Sequence, residues 1–475
     1  MNHTASAHAH VETPPDPRRW PALALLSLAQ FMLILDVTVV NVALPSMGQD
    51  LHLGREALTW AVTAYTLCFG GLMLLGGRLA DAFGARRMVL TGLAVFTLAS
   101  LTTGLASDGT TLITGRLAQG IGAALLSPAA LAIVTTTFHG TERNKALGIW
   151  AAIGGAGSAI GVLLGGALTA GPGWQWVFFV NVPVGALVFI SLPALLPTSA
   201  SNPAARRIDL PGALAVTTAT AALIYGLVKA GDAGWGGGAI LISLAAAVIL
   251  YGVFALIERS SRTPLMDLRM FAHRSVVAGA FLMLIATGLL ISFFFLGSLY
   301  LQHARGFSAL KTGLLFLPVA AATAIGAHLG SRLIGRIGGR PVTATGLVLA
   351  AIGAGALTRL SDRADVYSGL LPGFVIAAVG LGAVFVAATT TALAFVPHQE
   401  AGLASAVVNT FHEVGGSIGV AVVSTVAAAG IQAGTSAGFT NAFGVCTAAA
   451  AIGAAVAVGI LPPGKPQITG GPHVH

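Results

Sequence analysis

The sequence predicts an all-α polytopic membrane protein with fourteen spans. Three observations predict it: the composition, the length of the apolar runs, and the placement of the few charges. Charged residues make up 8% of the 475 and hydrophobic residues 55%, with a mean hydropathy of +0.86. A soluble domain carries about 25% charged residues, so this chain uses lipid as its solvent. Backbone groups in hydrocarbon must bond internally, which makes long apolar runs helices.

A span takes about 20 apolar residues. Runs of that kind fall at about 21–45, 57–77, 88–106, 111–137, 146–170, 176–196, 210–228, 238–257, 275–300, 310–331, 341–358, 366–396, 403–430 and 438–461. Only Asp36, Arg116 and Glu413 bring a formal charge well inside a run. A charge in hydrocarbon costs at least about 2.5 kcal/mol, so it marks a wet cavity, a partner or a transport path. Residues 1–20 and 462–475 read as polar tails, the first of them disordered and its final Arg18-Arg19 leading into a retained first span rather than a cleaved signal.

Fourteen spans put both tails on one side. That side carries 17 of the 24 basic residues and the other side 6, with Arg116 left within the membrane. The positive-inside rule then places both termini in the cytoplasm of a plasma-membrane protein. The same rule explains the high isoelectric point without nucleic acid. Cys68 and Cys446 both lie in spans and form neither a disulfide framework nor a metal site.

The chain carries a faint repeat. Gly77-Arg78-Leu79-Ala80-Asp81-Ala82-Phe83-Gly84-Ala85-Arg86 follows span two, and Ser331-Arg332-Leu333-Ile334-Gly335-Arg336-Ile337-Gly338-Gly339-Arg340 follows span ten. Arg, Leu, Gly and the last Arg coincide at an offset of 254, and the same offset carries residue 21 to 275, where span nine begins. The expected organisation is a six-helix bundle over 21–196, two inserted helices with flanking loops over 197–274, and a second six-helix bundle over 275–461. Paired halves around a midplane site are a transporter architecture.

Several motifs carry a resemblance. The loop from Gly77 to Arg87 resembles the signature loop of the major facilitator superfamily. Leu35-Asp36-Val37-Thr38-Val39-Val40-Asn41-Val42-Ala43-Leu44-Pro45 resembles the first-span motif of its fourteen-helix drug:proton antiporters. Arg116, Gln119, Gly120 and Gly122 match the fourth-span motif, Trp174 through Pro183 the lead into span six, and Gly402 through Ala406 with Asn409-Thr410 the start of span thirteen. The resemblance implies the major facilitator fold and efflux of drugs or antibiotics driven by inward proton flow. It covers nearly the whole chain. The chain departs from the pattern at Val162, where the antiporter motif has proline, at Gln175, at Gly335 opposite Asp81, and at His412-Glu413, where the family commonly has Arg-Gln.

The candidate site residues follow. Asp36 and Arg116 lie at similar depth by helical rise and can pair, and with Glu413 they are the candidates for proton coupling. Asn41, Gln119, Asn409, His412 and Phe294 are the candidates for substrate contacts, Phe294 as part of an aromatic wall with Phe293, Phe295 and Tyr300. Asp81 can meet a loop arginine or a helix N-terminus, and the resemblance implies that this contact makes Gly77, Arg78, Asp81, Gly84, Arg86 and Arg87 a conformational latch. Gly157, Gly161 and Gly165, at four-residue spacing, are read as a flat packing face.

No enzyme is expected. Gly154-Gly155-Ala156-Gly157 lacks the Lys-Ser/Thr of a phosphate loop and lies within a span. No cofactor or metal is called for. The expected partners are a small amphiphilic substrate, protons and the lipid bilayer, with the chain a monomer. Proton-coupled or facilitative transport of a small metabolite is the rival reading.

Overall fold

The computed structural model describes residues 17–138, 140–196, 209–233, 236–261, 264–266, 268–360, 365–393, 401–428 and 436–461. All regular structure among them is helical. In chain order the helices are α1 (Arg19–Asp50), α2 (Arg55–Phe83), α3 (Ala85–Gly104), α4 (Gly109–Thr137), α5 (Gly140–Ala170), α6 (Trp176–Phe179), α7 (Asn181–Leu195), α8 (Leu210–Ala233), α9 (Gly238–Ser260), α10 (Arg274–Leu299), α11 (Ala309–Ile337), α12 (Gly339–Leu357), α13 (Val366–Gly369), α14 (Leu371–Leu393), α15 (Ala401–Val426) and α16 (Ser436–Ile460). Twelve spans among the described residues are long and apolar enough to cross a membrane. The expected spans at 146–170 and 403–430 correspond to α5 and α15 and are not among those twelve.

The helices outrun the apolar stretches at several ends, because a rod 29–32 residues long spans more than the hydrocarbon core needs. The tail expected over 1–20 is shortened accordingly: α1 begins at Arg19, with Pro21 in its first turn, where the missing N–H costs no bond. The expected sixth span is broken into α6 and α7 at Val180, and residues 394–396, 429 and 430 of two other spans lie outside the described residues.

The repeat is visible in the rods. Shifting the bounds of α2 by 254 gives 309–337, the bounds of α11. The turns after both helices reverse at a glycine of positive φ, Gly84 at 96° and Gly338 at 90°, a backbone region that favours glycine. The offset then grows. Gly92 and Gly122 pack α3 on α4, where a Cβ at Gly122 would stand 2.8 Å from Gly92 O. Gly346 and Gly380 pack α12 on α14 in the same way, with a Cβ at Gly380 2.2 Å from Gly346 O. Gly92 moves by 254 and Gly122 by 258, because the link from α12 to the next helix is four residues longer than the link from α3 to α4.

Helices α1 to α7 pack mainly among themselves, and so do α10 to α16. Two large seams join the sets, α2 against α15 and α5 against α11, and α1 makes smaller contacts with α10 and α11. The inserted α8 packs on α9 and also on both α2 and α15.

Small residues make these approaches. Gly157 and Gly161 meet α1, where a Cβ would stand 2.9 Å from Ile34 Cγ2 and 1.9 Å from Thr38 Oγ1, and Gly165 meets Val39. Gly166 instead crosses to the other set, with a Cβ 2.8 Å from Ala309 O. At the end of α2 the close approach is made by Gly76, where a Cβ would stand 1.9 Å from Ala124 O, while Gly77 has Pro128 at 3.9 Å.

A candidate transport site

The first set closes on a single carboxylate. Asp36 on α1 is fully buried, as are Arg116 and Gln119 on α4, Ser100 on α3 and Asn181 on α7. Arg116 Nη1 donates to Asp36 Oδ2, so the pair expected from helical depth is direct. The same Nη1 donates to Gln119 Oε1 at 2.9 Å, and Nε donates to Ala61 O at 2.9 Å. Gln119 Nε2 donates to Asp36 Oδ1 at 3.0 Å and to Ser100 Oγ at 2.8 Å. Asn181 Nδ2 reaches Asp36 Oδ1 at 3.2 Å. The guanidinium lies 4.4 Å from the centroid of the Tyr65 ring, so one face of the cation rests on a π-system.

Asp36 therefore receives three side-chain donors from two other helices. The burial is affordable only because charge and lone pairs are both matched; removing one partner would strand the other. Asn181, Ser100 and Tyr65 were not among the expected site residues. Asn181 was visible within the Trp174-to-Pro183 motif, but nothing in its local pattern tied it to Asp36. Ser100 and Tyr65 gave no sequence signal.

The other candidates scatter. Asn41 is buried, donates to Val37 O at 2.8 Å, and leaves its Oδ1 unpartnered. His412 Nδ1 sits 2.9 Å from Thr287 Oγ1 and 3.3 Å from Met283 Sδ, with its ring 5.8 Å from Phe385. Glu413 is half-buried on the α2–α15 seam, where a Cβ at Gly70 would stand 2.6 Å from its own Cβ. Asn409 is exposed. Phe294 is 4% exposed and packs on Phe316 at 5.1 Å, and Phe293, Phe295 and Tyr300 are buried too. In this conformation they are a packed core, not an open wall.

At the signature loop, Arg78 Nη2 donates to Pro264 O beyond α9, and Arg86 Nη2 to Pro193 O of α7 at 2.9 Å. Asp81 and Arg87 are exposed. Of the two partners expected for Asp81, a loop arginine or a helix N-terminus, the described residues show the field of Arg78 acting on it.

Polar ties between the sets gather at the Arg55 end. Arg55 is 5% exposed and donates to Ser424 Oγ of α15 at 3.2 Å and to Val228 O of α8 at 2.9 Å. Thr59 and Ser424 share a 2.5 Å bond, Thr66 and Ser417 another, and Gln302 Nε2 donates to Val42 O at 2.8 Å. In sequence a residue at the first position of a helix looks like a loop residue, so this role of Arg55 has no signal there.

The sequence profile of the Major Facilitator Superfamily matches residues 26–420. The chain is a member of the major facilitator superfamily. It is 41% identical to "Puromycin resistance protein pur8" of Streptomyces alboniger, covering 87% of this chain and 82% of that one. It is 36% identical to "Cephamycin export protein CmcT" of Amycolatopsis lactamdurans, covering 86% and 85%. Among solved structures, a bacterial homologue of the human lysosomal transporter Spinster, inward-facing and unoccupied, superposes with a TM-score of 0.67 at 18% identity over 94% of this chain and 98% of that one. The protein is accordingly a transporter built on the major facilitator fold, and not an enzyme.

Proposed function

We propose that this transporter exports amphiphilic drugs or antibiotics in exchange for protons, by alternating access between its two helix sets. The observation that carries the reading is the sealed Asp36–Arg116 pair with its Gln119 and Asn181 donors. Relatives named for puromycin resistance and cephamycin export give the substrate class.

The chemistry follows from the bonds. A proton on Asp36 removes the charge that Arg116, Gln119 and Asn181 all address. Arg116 keeps Gln119 Oε1 and Ala61 O as acceptors, so the cation stays solvated by protein when Asp36 is neutral. Helices α1, α4 and α7 meet at this carboxylate and α3 joins them through Ser100, so its protonation loosens the first set as a unit. Glu413, at the seam with the second set, is placed to meet a cationic group or a second proton, with His412 and Asn409 on the same helix. Helices α5 and α15 complete fourteen spans, 21–196 and 275–461 act as the two halves, and 197–274 is an insert. With both termini in the cytoplasm of the inner membrane, the ties at the Arg55 end close the outer side. The working unit is a monomer.

Everted membrane vesicles acidified inside test the reading. They should accumulate a substrate amphiphile, and adding substrate should discharge the proton gradient. Accumulation that ignores the gradient, or a gradient that ignores every toxic amphiphile tried, would sink it.

A further inference from the structure

One turn of the inserted α8 bonds to both helix sets at once. Leu227 O accepts from Thr425 Oγ1 of α15 at 2.5 Å, and the next carbonyl, Val228 O, accepts from Arg55 Nη2 of α2 at 2.9 Å. Lys229, one residue on, donates to Glu56 Oε2 of α2 at 2.7 Å. Arg55 and Thr425 are both buried. Beside them Leu67 of α2, Ile224 and Val228 of α8 and Ala421 of α15 form a buried apolar cluster, with Trp60 against it.

The two attachments are unequal. Helix α2 holds this turn through a guanidinium and an ion pair, and hydrogen bonds of charged groups are roughly twice as strong as neutral ones. It meets α8 again in the first half of that helix, where a Cβ at Gly71 would stand 3.1 Å from Thr217 Oγ1 and 3.4 Å from Thr217 Cα, and where the Thr217 hydroxyl reaches Gly71 O at 3.1 Å. Helix α15 holds the turn through one hydroxyl. That hydroxyl has a second acceptor on its own helix, Ala421 O at 2.9 Å, so leaving Leu227 O strands no donor. Arg55, parted from Ser424 Oγ, would keep Val228 O. Parting α8 from α2 instead would take a carbonyl from a buried guanidinium and break the ion pair, which costs more.

We propose that residues 227–229 are a clasp on the outer end of the α2–α15 seam: α8 travels with α2, and the outer side opens when Thr425 lets go of Leu227 O. The inference rests on alternating access with the Arg55 end outward. The insert is then part of the moving machinery. It stiffens the first set's side of the seam and gives α15 a single neutral bond to release. The Thr59–Ser424 and Thr66–Ser417 bonds along the same seam are neutral too, so no ion pair among the described residues is parted when the outer side opens.

Distances between paired nitroxide labels, read by pulsed electron resonance on the full chain in lipid nanodiscs, test this. Ser107 and Tyr367 are exposed in or near the outer links of the two sets, Tyr225 is exposed on α8, and the native Cys68 and Cys446 are buried. Labels on Ser107→Cys and Tyr367→Cys read the opening of the outer side. A label on Tyr225→Cys, paired with each in turn, reads which set α8 follows. Thr425→Val should add a longer-distance population between positions 107 and 367 and between 225 and 367, and leave 225 to 107 as it was. Thr425→Ala removes the same hydroxyl with less bulk and should act alike, which covers a Val variant that does not fold. Thr425→Ser should restore the parent distances. Thr217→Val, at the other meeting of α8 with α2, should change none of them. Distances that neither Thr425→Val nor Thr425→Ala alters, or that Thr217→Val lengthens equally, overturn the clasp. So does a growing distance from 225 to 107, which would show α8 leaving with α15. The distances are read without amphiphile or proton gradient, so a protein that opens in this way yet exchanges no drug for protons would sink the exchange reading and keep the clasp.

Discussion

The two helix sets place opposite chemistry at matching points of one scaffold. The Gly92–Gly122 contact of the first set is repeated by Gly346–Gly380 in the second, so position 116 of α4 corresponds to 374 of the α13–α14 pair. In the first set that position is Arg116, facing Asp36 of α1. In the second it is Phe374, facing Phe293 of α10 at 5.7 Å, with Phe316 at 6.0 Å and Phe443 at 5.9 Å. The second set shows that the scaffold packs well around aromatic rings alone. Charge at this point of the first set is therefore not needed to hold the helices. It is retained at a desolvation cost that an aromatic core avoids.

Making the first set resemble the second is the sharpest way to test that contrast. Arg116→Ala should have the largest effect, since it leaves Asp36 buried without its cation; a loss of about 3–5 kcal/mol in stability is expected, read as a lower melting temperature in detergent and poor yield. The double variant Asp36→Leu with Arg116→Phe should separate stability from function. Its stability should be unchanged or higher by about 1–4 kcal/mol, yet proton-coupled efflux in proteoliposomes should vanish. A double variant that still pumps would show the ion pair to be a packing device.

Asp36→Asn should keep most of the bonds and still abolish substrate-triggered pH change, with the protein present in the membrane. Glu413→Gln should act more narrowly. Efflux of a cationic amphiphile should fall, and its pH dependence should change, while a neutral compound carried by the same protein loses less. Equal kinetics for both compounds would return Glu413 to a structural role at the seam. The smallest effect is expected for Asp81→Asn, which should slow turnover without removing substrate binding, as measured by equilibrium binding alongside initial rates.

Much of the scaffold could be read from the chain because lipid allows so few solutions. Apolar runs had to be helices, and the Gly84 and Gly338 turns marked two of them as copies. The four-residue slip in the repeat was hidden, because it arises in the link before Val366, where composition carries no register. The Asp36–Arg116 pair was legible from depth along two helices. Its third and fourth shares, Gln119 and Asn181, were legible only in part, since uncharged amides cost little wherever they fall. Phe294 lies in a packed core in this conformation, and an aromatic run in a sequence fits a wall and a packed core equally well. Arg55 was missed because, at a helix end, sequence cannot tell a solvated charge from one folded under a neighbouring helix.

The position of α8 has a consequence for how greasy compounds reach the protein. By packing on α2 and α15 together, α8 screens that seam from the surrounding acyl chains. Among the described residues, neither α8 nor α9 packs extensively on α5 or α11. A compound that partitions into a bilayer leaflet before it is expelled thus meets a shuttered flank on one side and a glycine-lined flank, Gly166 against Gly313, on the other. A fold with twofold lateral symmetry is left with one flank covered by the insert and one bare to lipid.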